Sequence, residues 1–187
     1  MVYLFLAEGF EEVEALTPVD FMRRADIEVT TVGVGGEYIT GAHGITVKAD
    51  VCDSDVSAND ADIEMVVLPG GMPGTLNLKA SAKVNEFIDR AYDKGAFIGA
   101  ICAAPSILGE KGLLKGKMAV CYPGFEETLD GATLSERGVV RDGRIITAKS
   151  AGFAWQFGKV LAEVFVDQEV CELTWKNLFL HLVEKDV

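Results

Sequence analysis

Val2–Ala7, Ile27–Val34, Ile63–Leu68 and Ala96–Ile101 are short, almost wholly apolar runs set between stretches of helix or turn chemistry. A strand that is apolar on both faces must be covered on both faces. That condition is met by a parallel sheet with helices packed above and below it. The intervening segments agree. Ser81 stands where a helix cap belongs, and Val84, Phe87, Ile88, Ala91 and Tyr92 follow at helical spacing. Gly95 is placed to end that helix. Thr17-Pro18-Val19-Asp20 reads as a helix start, with Thr17 as cap and Pro18 in the first position. A hairpin is expected around Thr40–Gly44, inside the Gly-punctuated stretch Gly35–Val47. Another helical stretch starts at Ala103. Lys117–Cys121, Gly138–Arg141 and Arg144–Ala148 read as shorter strands, the last two joined by an Asp142-Gly143 turn. Two helices close the chain, the last presenting Cys171, Trp175, Leu178, Phe179 and Leu182 on one face. No repeat or linker interrupts this order. The 187 residues are expected to form one α/β domain, residues 1–187, with a mostly parallel central sheet.

Charge narrows the partners. With 17 Lys and Arg against 29 Asp and Glu, the net charge is −12, a field that repels phosphate backbones and anionic lipid. Neither nucleic acid nor a membrane surface is an expected partner. The longest uncharged run, Gly95 to Gly109, is 15 residues and contains Pro105, against about 20 needed to cross a bilayer. The first strand begins at Val2, which leaves no room for a signal peptide. Cys52, Cys102, Cys121 and Cys171 are scattered and form no CxxC pair, a pattern that suits free thiols in the cytoplasm. No His/Cys/Asp cluster of metal-ligand spacing, phosphate loop or dinucleotide fingerprint is present, so neither metal nor cofactor is expected.

In an open parallel sheet the ligand crevice lies at the carboxyl ends of the strands. Glu8–Glu14, Gly70–Thr75, Cys102–Ala104 and Tyr122–Glu127 fall there. Cys102 stands between a buried strand and a helix, with Ala100 two residues before it and Ala104 two after. A nucleophile elbow needs small residues at those positions, because its sharp turn brings strand and helix backbones together. A cysteine at a helix start also feels the positive end of the helix dipole, which lowers its pKa. The alternative is a buried, inert cysteine. Gly70 and Gly71 could bring backbone amides close to a ligand and, with the amide of Ala103, form an oxyanion hole; alone they also fit a plain tight turn. Glu14 could face the thiol, in which case one of the two must carry a proton; otherwise Glu11, Glu12 and Glu14 are solvated. His43 and His181 both lie outside the crevice segments, which argues against an intrachain Cys–His dyad and an ordinary cysteine protease.

Leu6-Ala7-Glu8-Gly9-Phe10-Glu11-Glu12-Val13-Glu14, Val67-Leu68-Pro69-Gly70-Gly71 and Ala100-Ile101-Cys102-Ala103-Ala104-Pro105 together resemble the ThiJ/PfpI superfamily, in its DJ-one-like branch. The resemblance extends through Ile146-Thr147 and Gly152–Gly158. It implies a flavodoxin-like three-layer sandwich, a homodimer, a reactive Cys102 and a protonated Glu14 hydrogen-bonded to it. The Gly71 and Ala103 amides would match the family's oxyanion hole. The protease branch carries His directly after the cysteine, where this chain has Ala103, so peptidase activity is not implied. Some DJ-one-like members place His before a proline near the site; the matching pair here is Tyr122-Pro123, a wall of the site. A phenol can donate a hydrogen bond but is a poor base near neutral pH, so any proton transfer falls more heavily on Glu14. The resemblance implies a cofactor-free enzyme acting on small reactive aldehydes or glycated adducts, as a glyoxalase or deglycase protecting against oxidative stress. The competing reading is a redox sensor or stress chaperone that oxidises the same thiol without turnover.

Overall fold

A computed structural model describes residues 1–59 and 61–183. In chain order the strands are β1 (Val2–Leu6), β2 (Val29–Gly33), β3 (Tyr38–Thr40), β4 (Thr46–Lys48), β5 (Val51–Cys52), β6 (Met65–Leu68), β7 (Phe97–Ile101), β8 (Met118–Ala119), β9 (Thr133–Leu134), β10 (Val139–Asp142) and β11 (Ile145–Ala148). The helices are α1 (Glu12–Arg24), α2 (Gly74–Ala80), α3 (Ala82–Lys94), α4 (Pro105–Glu110), α5 (Ala154–Ala162), α6 (Gln168–Asn177) and α7 (Leu180–Val183). Among the described residues the central sheet runs β10-β11-β7-β6-β1-β2-β5, parallel except for the edge strand β10.

Side chains alternate across that sheet, so its two faces feed two cores. Leu4, Leu6, Met65, Val67, Ile101 and Ile146 pack with Phe21 and Met22 of α1 and with Phe157, Leu161 and Trp175 of α5 and α6. Phe5, Val66, Leu68, Ile98, Ala100 and Ile145 face the other way, onto Val84, Phe87 and Ile88 of α3 and Ile107 and Leu108 of α4. The result is a flavodoxin-like α/β sandwich. Helix α3 has the expected ends: the Ser81 hydroxyl accepts the Val84 amide at 3.3 Å, and Gly95 closes the helix at φ +70°.

Four expectations are corrected. Helix α1 starts at Glu12 with Glu11 as cap, not at Pro18, which lies inside it. Pro18 has no N–H to offer the Glu14 carbonyl, yet the helix continues because its apolar face is buried against the sheet and α5. The β10–β11 loop is Gly143-Arg144 rather than Asp142-Gly143, because Asp142 already pairs with Ile145. Strand β8 is two residues long and pairs with β9 in a separate ladder outside the central sheet. The closing helix breaks after Asn177, where Phe179 takes φ +58°. Cys171 and Trp175 are buried, whereas Phe179 and Leu182 are exposed.

Candidate active site

Strands β1, β6 and β7 are neighbours, so their carboxyl ends open side by side. The end of β7 delivers Cys102, the end of β6 delivers Gly70 and Gly71, and the turn after β1 delivers α1 with Glu14 in its first turn. Cys102 has φ +64°, the left-handed strain of an elbow nucleophile. Its backbone is held from both sides: its amide donates to the Ala148 carbonyl at 2.9 Å, and its carbonyl accepts the Tyr122 amide at 2.8 Å. Ala100 and Ala104 are fully buried, as a tight elbow demands, and the Ser106 hydroxyl ties down the Ala103 carbonyl at 2.6 Å.

Glu14 is 1% exposed, so the solvated reading of this carboxyl does not hold. The Gly70 amide donates to its Oε2 at 3.0 Å, and the nearby Ala151 amide also favours the charged carboxylate. Gly70 is pressed between the Glu14 carboxyl and Cys102: a Cβ there would lie 2.5 Å from Glu14 Oε2 and 2.6 Å from Cys102 Cβ. With the Gly70 amide taken by Glu14, the amides that favour a charged sulfur are those of Gly71 and Ala103. Gly71 has φ +94°, and a Cβ there would lie 2.4 Å from the Glu11 nitrogen, so glycine is required.

The two acidic groups titrate as a pair. Burial pushes the Glu14 carboxyl up to about 7; Glu11's charge adds to the rise, while bonds from Cys102, Gly70 and Ala151 oppose it. Burial also pushes the Cys102 thiol up to about 12, reinforced by the charge and hydrogen bond of Glu14 and opposed by the Ala103 and Gly71 amides. The helix-start expectation of an independently acidic thiol is thereby corrected: burial, reinforced by an ionised Glu14 beside the sulfur, outweighs the dipole. Between the two steps the pair carries one proton. When it sits on Glu14, the sulfur is a thiolate facing two amides.

Tyr122 touches the elbow through its backbone, and its side chain is 47% exposed. Pro123 lines a neighbouring cavity of about 250 Å³ with Cys121, Glu126 and Lys149. Burial pushes the Cys121 thiol up to about 11 and also raises that of Cys171; Cys52 is half-buried and bonds Asp53 at 3.3 Å.

One cluster was invisible to local pattern. The β3–β4 hairpin carries His43 onto the start of α1, where its Nδ1 lies 2.9 Å from Glu12 Oε2 and 3.4 Å from Glu11 Oε2. Glu12, 4% exposed, also accepts the amides of His43 at 2.9 Å and Ile45 at 3.3 Å. The expectation of no metal-like cluster is corrected in geometry: ligand atoms of Glu11, Glu12 and His43 lie within 4.8 Å of one another. The Glu12 oxygens are already engaged by the hairpin, so the cluster works as a clasp.

Fold and elbow together define a class: α/β proteins with a cysteine nucleophile elbow beside a buried carboxyl. The chain belongs to the DJ-1/PfpI family, whose profile matches residues 1–164. Protein dj-1beta of Drosophila melanogaster is 32% identical over 180 residues, 95% of each chain. A deglycase of Pyrococcus abyssi is 30% identical over 166 residues, 86% of this chain and 98% of that one. The match to Arabidopsis thaliana Protein DJ-1 homolog B, 35% identical, spans 90% of this chain but 39% of that longer one. Among solved structures, oxidized Toxoplasma gondii DJ-1 superposes with a TM-score of 0.90 at 32% identity, covering 95% of this chain and 97% of that one.

Proposed function

We propose that this protein is a cofactor-free, cysteine-dependent enzyme for reactive carbonyls, a glutathione-independent glyoxalase or protein deglycase. The observation that carries the reading is the Cys102–Glu14 pair: one strained nucleophile, one buried acid and one proton between them. Family membership and a relative named as a deglycase support the substrate class. With methylglyoxal, the thiolate adds to the aldehyde carbon and the oxygen takes the proton of Glu14, giving a hemithioacetal. Glu14, now a carboxylate, removes the hydrogen on that carbon and returns it to the neighbouring ketone carbon, while the hemithioacetal hydroxyl proton passes to the ketone oxygen. The first carbon is thereby oxidised to a thioester and the second reduced to an alcohol. Water then cleaves the thioester, releasing lactate and restoring the thiol. The Gly71 and Ala103 amides stabilise negative charge at the reacting centre. In this reading Gly70 orients Glu14, and Tyr122 and Pro123 form the outer wall.

Peptide hydrolysis makes a different demand. It must protonate an amine leaving group, a task that cysteine proteases give to a positioned histidine. Ala103 follows the nucleophile, and His43 is engaged with Glu12. We therefore propose no peptidase role. A redox-sensing role has one observation in its favour, that a structural relative is described as oxidized. The same two amides would hold the oxygens of a sulfenic or sulfinic acid. Lactate formation from methylglyoxal by freshly reduced protein separates the two: turnover supports the enzyme, and peroxide-dependent oxidation without turnover supports the sensor. We further propose that residues 1–187 act as one domain, in the cytoplasm, as a homodimer.

A further inference from the structure

At the end of the sheet remote from Cys102 lies a cavity of about 260 Å³ whose lining includes Tyr92, Ala96, Ile98, Lys117, Arg144 and Ile145. Strand β7 connects the two places: Ile98 lines this cavity at one end, and Cys102 follows the other. Its walls are apolar and its charged lining is cationic, in a chain whose net charge is −12. Arg144 also lines an adjoining cavity of about 300 Å³ with Lys94 and Phe97.

The cations here are not held by ion pairs. The guanidinium groups of Arg141 and Arg144 each lie 5.2 Å from the centre of the Phe97 ring. The ring attracts both cations, but their mutual repulsion is left standing. Among the described residues neither arginine has an ion pair, and Lys117 has none. Two carboxylates stand nearby without pairing to these cations: Asp142 accepts the Met118 amide at 2.8 Å, and Glu64, which lines the adjoining cavity, pairs with the amino terminus. Two glycines leave the rim open. A Cβ at Gly143 would lie 3.9 Å from Lys117 Nζ, and one at Gly95 would lie 3.6 Å from Arg144 Nε.

We propose that this cleft binds a small organic anion, with the phosphate or carboxylate between Lys117 and Arg144 and an apolar or aromatic body against Tyr92, Ile98 and Ile145. Arg144 supplies a planar, two-donor fork for the anion and Lys117 a point charge. The site is independent of the carbonyl chemistry at Cys102, so either reading can fail without the other.

The test is an NMR titration of the ¹⁵N-labelled protein with phenyl phosphate at constant ionic strength, with benzyl alcohol as the neutral comparison. Expected are saturable shifts at the Gly95, Ala96 and Gly143 amides, none at Gly71 or Ala103, and weaker binding as salt rises. Arg144→Gln and Lys117→Gln should each weaken binding by about tenfold or more, the scale of one charge-assisted hydrogen bond. Both variants are read separately, so a folding defect in one leaves the other decisive. Absence of saturable binding, equal affinity for benzyl alcohol, shifts centred on Gly71 and Ala103, or wild-type affinity in the folded variants would overturn the proposal.

Discussion

At the residue scale the protein rests on two groups that each resist being charged beside the other. Glu14 titrates at about 7 in the folded chain against 4.5 for an ordinary glutamate, so the folded state holds its proton longer than the unfolded chain does. Stability from this group is therefore highest below about pH 4.5 and falls as pH rises through 7, by a few kcal/mol at most. Glu14→Gln should flatten that decline in thermal melts taken between pH 5 and 8. The same substitution removes the charge facing the sulfur. The Cys102 thiol should then ionise at lower pH, seen as faster iodoacetamide labelling near neutrality, while conversion of methylglyoxal is lost. Retained turnover in Glu14→Gln would remove Glu14 from the chemistry. Gly70→Ala is a steric probe of the same pair, since its Cβ would press on both Glu14 and Cys102. It should lower turnover by an order of magnitude or more, on the scale of misplacing a catalytic group by about 1 Å. Gly36→Ala, which meets open space, should leave turnover unchanged.

At the scale of elements, the hairpin and the first helix are joined through Glu12. Burial alone would raise its pKa, but the His43 ring and the His43 and Ile45 amides outweigh burial and leave it below the usual carboxylate range. The hydrogen bond and charges of Glu12 and Glu11 raise His43. The clasp thus loses stability on the acid side as pH falls through the lowered Glu12 value, and on the basic side as pH rises through the raised His43 value. Glu12→Ala should cost about 1–3 kcal/mol in urea unfolding near pH 6, because it strands hairpin amides, and should narrow that pH window. The clasp also shows where sequence reading stops. Cys102 was legible because Ala100 and Ala104 are local requirements of an elbow, and α3 because Ser81 and Gly95 act on their own backbone. The start of α1 was not legible. Thr17-Pro18-Val19-Asp20 mimics a cap, whereas the true start at Glu12 is fixed by a hairpin 31 residues away and by burial of the helix face. The burial of Glu14 was legible only through the family resemblance and not from local pattern, since its amide partner Gly70 is 56 residues distant. Phe179 shows the converse limit: an apolar periodicity carried past the point where the backbone leaves the helix.

For the whole molecule, the layered sheet explains where the proposed site sits. Neighbouring strand ends β1, β6 and β7 bring acid, glycines and thiol together from three distant parts of the chain. Val13, Ile45 and Met72 are 49%, 55% and 49% exposed, apolar surface that the proposed homodimer could cover. Light scattering at micromolar concentration should give twice the 20.1 kDa chain mass, and the monomer mass would contradict it. The central claim concerns the chemistry of the Cys102–Glu14 pair. Its most direct test is lactate formation from methylglyoxal by the freshly reduced wild type and by Cys102→Ser, alongside a fluorogenic peptide. The account predicts metal- and cofactor-independent lactate production by the wild type, none by Cys102→Ser, and no peptide cleavage by either. Peptide cleavage that disappears in Cys102→Ser, with no lactate from the wild type, would contradict it.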